Sequence, residues 1–194
     1  MGKLDDMLEQ LNVENNIRLE DIPKIDLYMD QVIQLFESKF GKSTRNEDEK
    51  VLTKTMINNY AKGKLLVPIK NKKYSKEHLI LISFIYQLKG ALSINDIKTV
   101  LDGINEKILE GNFNLDALYN SYLSLFTKNV ESFKEDIQDR AKGANEEAVK
   151  MEDENAEYLE KVLLIASLVN ISNLYRKAAE KLVDEIAEAK KSKQ

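Results

Sequence analysis

Only two prolines, Pro23 and Pro68, interrupt the 194 residues, and after the second the apolar residues return every three or four positions almost to the end of the chain. That period stacks them on one face of a helix instead of alternating them across a strand. Leu115, Leu118, Tyr122, Phe126, Val130, Phe133 and Ile137 form one stripe, and Leu174, Ala178, Leu182 and Ile186 another. Between them Lys161–Ile171 is almost wholly apolar, and a helix apolar on all sides has to be enclosed. One partner helix does not suffice, so a helical bundle is expected, closed by the chain itself or by a second subunit. A polar stretch around Gly143 followed by MEDENAEY separates the two helices, and the last is expected over about 155–190.

The first half breaks into shorter pieces. Leu4, Met7, Leu8 and Leu11 suggest a loose helix within an N-terminal arm. Leu27, Tyr28, Val32, Leu35, Phe36 and Phe40 predict a helix over 26–40, capped by Asp26 and ended by Gly41. The charged connection KSTRNEDEK leads to Thr53, a good N-cap, after which Met56, Ile57 and Tyr60 share one face and Gly63 is a stop. Pro68 holds the next residues extended. Val67–Tyr74 is expected as a small hairpin with Lys70 and Asn71 near its tip. Ser75 then caps a helix that Leu79, Ile80, Ile82, Phe84, Ile85 and Leu88 make apolar nearly all round, the expected centre of the core. Ser93 and Asp96 form a capping-box pair ahead of a stripe from Ile94 to Ile108, with Gly111 as its end.

Charge is unevenly spread. Residues 1–40 have a net charge of −5, residues 41–100 of +7 and residues 101–194 of −6. From Lys62 to Lys76 there are six lysines and no acidic residue, in a chain whose overall charge is −4. A cationic middle between anionic flanks points to contact with a polyanion. The short helix beside it shows Thr, Asn and Lys outward, side chains that reach phosphates and base edges; Asn pairs bidentately with adenine in the major groove.

Other chemistry has little material. The chain has no cysteine and one histidine, His78, so thiolate metal sites are absent and a zinc or Ser–His enzyme would rest on one residue. His78 is expected to be structural. The acidic run Glu152, Asp153, Glu154 and Glu157 reads as a solvated face, and no Gly-rich phosphate loop is present. Tyr119, Tyr122 and Phe126 read as core. No enzyme activity and no cofactor are expected. The longest apolar run, Val162–Val169, is too short to span a bilayer, and MGKLDDMLEQL has charges where a signal peptide is apolar, so no membrane partner and a cytoplasmic location are expected.

The stretch LTKTMINNYAKGKLLVPIKNKKYSKEHLILISFIYQLKGALSINDIKTVL resembles the DNA-binding domain of MerR-type regulators. Their recognition helix reads T-(I/L)-R-Y-Y-E-x-x-G-L-L-x-P, followed by a wing with Y-R-x-Y and a later S-(L/I)-x-x-I-(K/R). Tyr60 stands at the second tyrosine, Leu65 and Leu66 at the paired leucines, Pro68 at the proline and Tyr74 at the last wing tyrosine. Ser93, Ile94, Ile97 and Lys98 match the later motif. The helix arginine is Asn58 here, the first tyrosine Asn59, the glycine Lys64 and the wing arginine Lys72. IDLYMDQV, LTKTMINNY, KKYSKEHL and SINDI further resemble an uncharacterised bacterial family, a domain of unknown function with this MerR-like core, over roughly 20–125.

Together these readings give a mainly α protein: an N-terminal arm (1–20), a MerR-like winged helix-turn-helix domain with a small β-hairpin wing (21–112), and a C-terminal helical region for dimerisation or effector response (113–194). The resemblance implies a DNA-binding transcriptional regulator with a recognition helix at 53–62 and a basic wing at 67–74. Double-stranded DNA and a second copy, joined through the C-terminal helices, are the expected partners. Thr53, Thr55, Asn58 and Asn59 would face the groove. Lys54, Lys62, Lys64, Lys70, Lys72 and Lys73 would meet phosphates, and Tyr60 would hold the helix in place. The alternative is a non-catalytic helical protein-interaction module that keeps the winged core without reading DNA.

Overall fold

The computed structural model describes residues 2–46 and 48–192. The protein is mainly helical. In chain order its elements are α1 (Gly2–Gln10), β1 (Leu27–Tyr28), α2 (Met29–Phe40), α3 (Lys54–Lys62), β2 (Lys73–Tyr74), α4 (Lys76–Leu88), α5 (Ile94–Glu110), α6 (Leu115–Val149) and α7 (Ala156–Lys191). The two strands pair antiparallel, with Leu27 opposite Tyr74 and Tyr28 opposite Lys73.

The core gathers around α4. Leu79, Ile80, Leu81, Ile82 and Ile85 are all buried, so this helix is covered on nearly every side, as its composition demands. Val32, Phe36 and Phe40 from α2, Ile57 and Tyr60 from α3, Ile97 and Leu101 from α5, and Leu115 and Tyr119 from α6 complete the same cluster. Phe40 stacks on Tyr86 with ring centroids 4.4 Å apart. The arm joins in through Ile17, which is fully buried and whose carbonyl accepts from the Tyr119 hydroxyl at 2.6 Å. Burial there pushes the Tyr119 phenol up to about 12.

His78 is structural. Its Nδ1 accepts from the Ser75 backbone N–H at 3.0 Å, which leaves the proton on Nε2 to donate to the Val67 carbonyl at 3.1 Å. One neutral imidazole thus caps α4 and ties it to the extended segment before β2. Burial lowers its pKa below the ordinary histidine value.

Two expectations need correction, and one left open is narrowed. The helix expected over 26–40 starts at Met29, because Leu27 and Tyr28 are taken into the strand pairing with β2. Its cap is not Asp26: Tyr28 holds the N-cap position, and the Gln31 side chain accepts from the Tyr28 N–H at 2.8 Å. Second, α6 does not stop near Gly143 but runs on to Val149. Ala144 and Ala148 bury against α7, and that packing offsets the cost of about 1 kcal/mol for glycine inside a helix. Arg140 donates to Ser167 Oγ at 3.2 Å and Asn145 to Glu160 at 2.8 Å across the resulting hairpin. Of the two closures left open for α7, the described residues do not complete one within the chain. The last turns of α7 pack on α5, where Lys190 pairs with Asp102 at 3.5 Å and Glu106 at 3.1 Å, but its first half keeps one side in solvent.

Because the fold lowers the pKa of His78, the unfolded chain takes up its proton first as pH falls. Stability present above about pH 6.5 is therefore lost as pH drops through the unfolded value toward the lowered folded one. Thermal unfolding should show a midpoint that is level from about pH 8 to 7 and falls by a few degrees by about pH 5.5. In His78→Gln the level is lower at pH 7 and the fall between pH 7 and 6 is lost.

Candidate nucleic-acid interface

Helix α3 is held by the residue pair that precedes it. The Val51 N–H donates to Glu37 Oε1 of α2 at 3.1 Å, and its carbonyl accepts from Lys89 Nζ, just past α4, at 3.2 Å. Lys89 also lies over the Tyr86 ring, 4.7 Å from its centroid. Burial lowers the Lys89 pKa. Val51 and Leu52 are buried, and Thr53 opens the helix by accepting from the Met56 N–H at 3.1 Å. Ile57 and Tyr60 face the core, where burial raises the Tyr60 phenol. Lys54, Thr55, Asn58, Asn59 and Lys62 face outward. Thr53 is half-buried with its oxygen used as a cap, and Lys54 is ion-paired with Asp30 of α2 at 2.8 Å. Among the described residues, the unengaged polar side chains of α3 are thus Thr55, Asn58, Asn59 and Lys62.

The chain leaves α3 through a tight turn. Lys64 N–H donates to Ala61 O at 3.1 Å and Leu65 N–H to Tyr60 O at 2.9 Å, the two bonds of a Schellman closure. The left-handed residue that closure requires is Lys64, with φ 57°, and not Gly63, whose φ is −73°. Gly63 serves a different need: a Cβ there would sit 2.8 Å from Leu65 Cδ1 and 3.1 Å from Asn59 O. Leu65, Leu66 and Val67 then bury, and Asn105 of α5 donates to the Leu65 carbonyl at 3.1 Å.

At the tip of the following segment Asn71 and Lys72 have φ of 52° and 57°. Two successive positive values make the type I′ geometry that matches strand twist in a two-residue hairpin. Lys73 N–H closes it on Lys70 O at 3.0 Å. Beyond that one bridge the hairpin has no ladder of its own; Lys73 and Tyr74 pair with β1 instead. The extended run is therefore shorter than the 67–74 wing expected. Lys73 Nζ lies 5.5 Å from the centroid of the half-exposed Tyr28 ring. Lys76 turns away to pair with Asp116 of α6 at 2.7 Å.

Lys62, Lys64, Lys70, Lys72 and Lys73 are exposed, and none is ion-paired among the described residues. The composition could not separate them from Lys54 and Lys76, which are paired. It also missed Asp30, Glu37, Lys89 and Tyr28, residues that position or offset the basic groups; their only signal is their place one turn from an element end. Among the described residues no group of three or more His, Asp or Glu is arranged to hold a metal ion, and no helix is long and apolar enough to cross a membrane.

Residues 17–122 match the family model described as Domain of unknown function (DUF1836), which is more than half of the chain. The chain belongs to this family. No curated protein matches it, and no solved structure does. The DUF1836 region has a physical basis for its limits. Its first residue, Ile17, is joined to Tyr119 in its last turn by the hydroxyl–carbonyl bond, and Tyr122 stacks on Tyr119 with centroids 5.8 Å apart. All the exposed lysines described above lie inside the DUF1836 region, and most of the α6–α7 hairpin lies outside it.

Left-handed backbone costs about 1–2 kcal/mol for a residue with a Cβ. Lys64→Gly should therefore raise unfolding stability by about 1 kcal/mol in chemical denaturation. Gly63→Val should lower it, because its side chain meets Leu65 and the Asn59 carbonyl.

Proposed function

We propose that the protein binds double-stranded DNA with the outward face of α3 and the lysine tip at 70–73, in the manner of MerR-type regulators. The observation that carries this reading is the set of five exposed lysines without ion-pair partners among the described residues, gathered on α3, its closing turn and the hairpin tip of a chain that is acidic elsewhere. The element order supports it: a strand, two helices, a basic tip paired back to that strand, and two further helices. So does the backbone at Lys64. MerR-type sequences have glycine at this place, and here the left-handed turn is kept although the residue is lysine.

In this reading Asn58 and Asn59 meet base edges and Thr55 meets the backbone or an edge. Lys62, Lys64, Lys70, Lys72 and Lys73 neutralise phosphates, which sets affinity without selecting sequence. Lys54 joins them if a phosphate displaces Asp30. Tyr60 contributes from the core side by fixing the helix. A mainly helical protein-assembly module is the second reading, favoured by the apolar side that α7 leaves in solvent.

Binding of the purified chain to duplex DNA, followed by fluorescence anisotropy against salt, decides between them. With five or six phosphates neutralised, log K should fall against log salt with a slope of about −5. Lys72→Glu with Lys73→Glu should cut affinity more than tenfold and reduce the slope by about 2, with self-assembly unchanged. Salt-independent binding, or none, would leave the assembly reading.

A further inference from the structure

Helix α7 has one continuous stripe whose two halves have different fates. Tyr158, Val162, Ile165, Val169 and Ser172 recur at alternating spacings of four and three, and the same face continues through Arg176 and Ala179 to Val183. At Val183 the stripe is buried, and the Lys190 ion pairs with Asp102 and Glu106 show that α5 covers this end. Nearer the hairpin tip nothing among the described residues covers it: Tyr158 is 67% exposed, Val162 43%, Ile165 62% and Val169 54%. The opposite side of this half is already occupied by α6, as the Arg140–Ser167 and Asn145–Glu160 bonds show. Residues 162–175 contain no charged side chain, in a chain that is 32% charged.

Charge and size on either side of this segment single out the occupant. The N-terminal flank, 152–160, holds Glu152, Asp153, Glu154, Glu157 and Glu160 and no basic residue. The C-terminal flank holds Arg176, Lys177 and Lys181 against Glu180. A copy of the helix laid antiparallel puts each acidic flank over a basic one, whereas a parallel copy puts like over like. With the twofold axis between Ile165 and Val169, Ile165 meets Val169 of the second copy and Val162 meets Ser172. Tyr158 meets Arg176, an aromatic face against a guanidinium.

We propose that two copies of the chain pair through antiparallel α7 helices, with Val162, Ile165 and Val169 at the centre and the acidic and basic flanks crossing at both ends. The contact is isologous, as a twofold dimer requires. It needs no nucleic acid, so it stands or falls apart from the DNA reading.

Sedimentation velocity on the full chain without DNA, at about 20 μM (the range of a moderate dimer), should give twice the mass of one chain. Ile165→Asp should give the single mass with helical circular dichroism unchanged, since the residue is exposed. The absence of cysteine allows the orientation to be read directly. Ala166→Cys lies next to the axis, and a short bis-maleimide should join two copies of that variant. In Tyr158→Cys the two sulfurs lie about 27 Å apart along the helices, at 1.5 Å per residue, and should not be joined. A monomeric wild-type chain overturns the proposal. So does a dimer that survives Ile165→Asp, a dimer that Ala166→Cys does not cross-link, or self-linking of Tyr158→Cys, which would mean a parallel pair.

Discussion

Everything in the first two-thirds of the chain leans on the burial of α4. A helix with Leu79, Ile80, Leu81, Ile82 and Ile85 all out of water has no side to give to solvent, so its neighbours are obligatory. Burying five such side chains contributes on the order of 10 kcal/mol, comparable with the net stability of a whole domain. The basic segment inherits its position from this requirement. Val51 is strapped to α2 by Glu37 and to the end of α4 by Lys89, and the approach to β2 is tied to the start of α4 through His78. The exposed lysines are thus presented from anchored backbone rather than from a free loop, which lowers the entropy lost when they meet a ligand.

Much of this was legible in the sequence because it is written in short-range chemistry. The Thr53 and Ser93 caps, the Gly111 end with its φ of 77°, and the enclosure of α4 follow from residues within one or two turns of one another. What was not legible depends on partners far away in the chain. Leu27 and Tyr28 have an apolar pattern that continues smoothly into α2, and only the arrival of Lys73 and Tyr74 makes them a strand. Gly143 looks like a break until Ala144 and Ala148 find α7.

The candidate site divides in the same way. Counting charges located the cationic segment but could not say which lysines have partners. Lys54 and Lys76 are matched by Asp30 and Asp116, from α2 and α6, and those acids lie 24 and 40 positions away. Gly63 ends α3, as its residue type suggests, but the left-handed conformation of the closing turn does not fall on it. The backbone gives it to Lys64 and keeps Gly63 for clearance, since two different steric demands fall on adjacent residues.

The proportions of the hairpin have a mechanical consequence. Helix α6 has 35 residues, about 52 Å at 1.5 Å per residue; Leu115 and Tyr119 hold its start, and the buried Ile137 and the Lys134–Glu14 ion pair to the arm hold its middle. The part of it beyond Ile137 reaches past that support. A change of about 5° in its direction beyond Ile137 displaces the far end by about 1–2 Å. The position of the turn beyond Val149 is thereby governed more by how the arm seats against the middle of α6 than by the aromatic cluster of Phe84, Tyr119 and Tyr122 at its base.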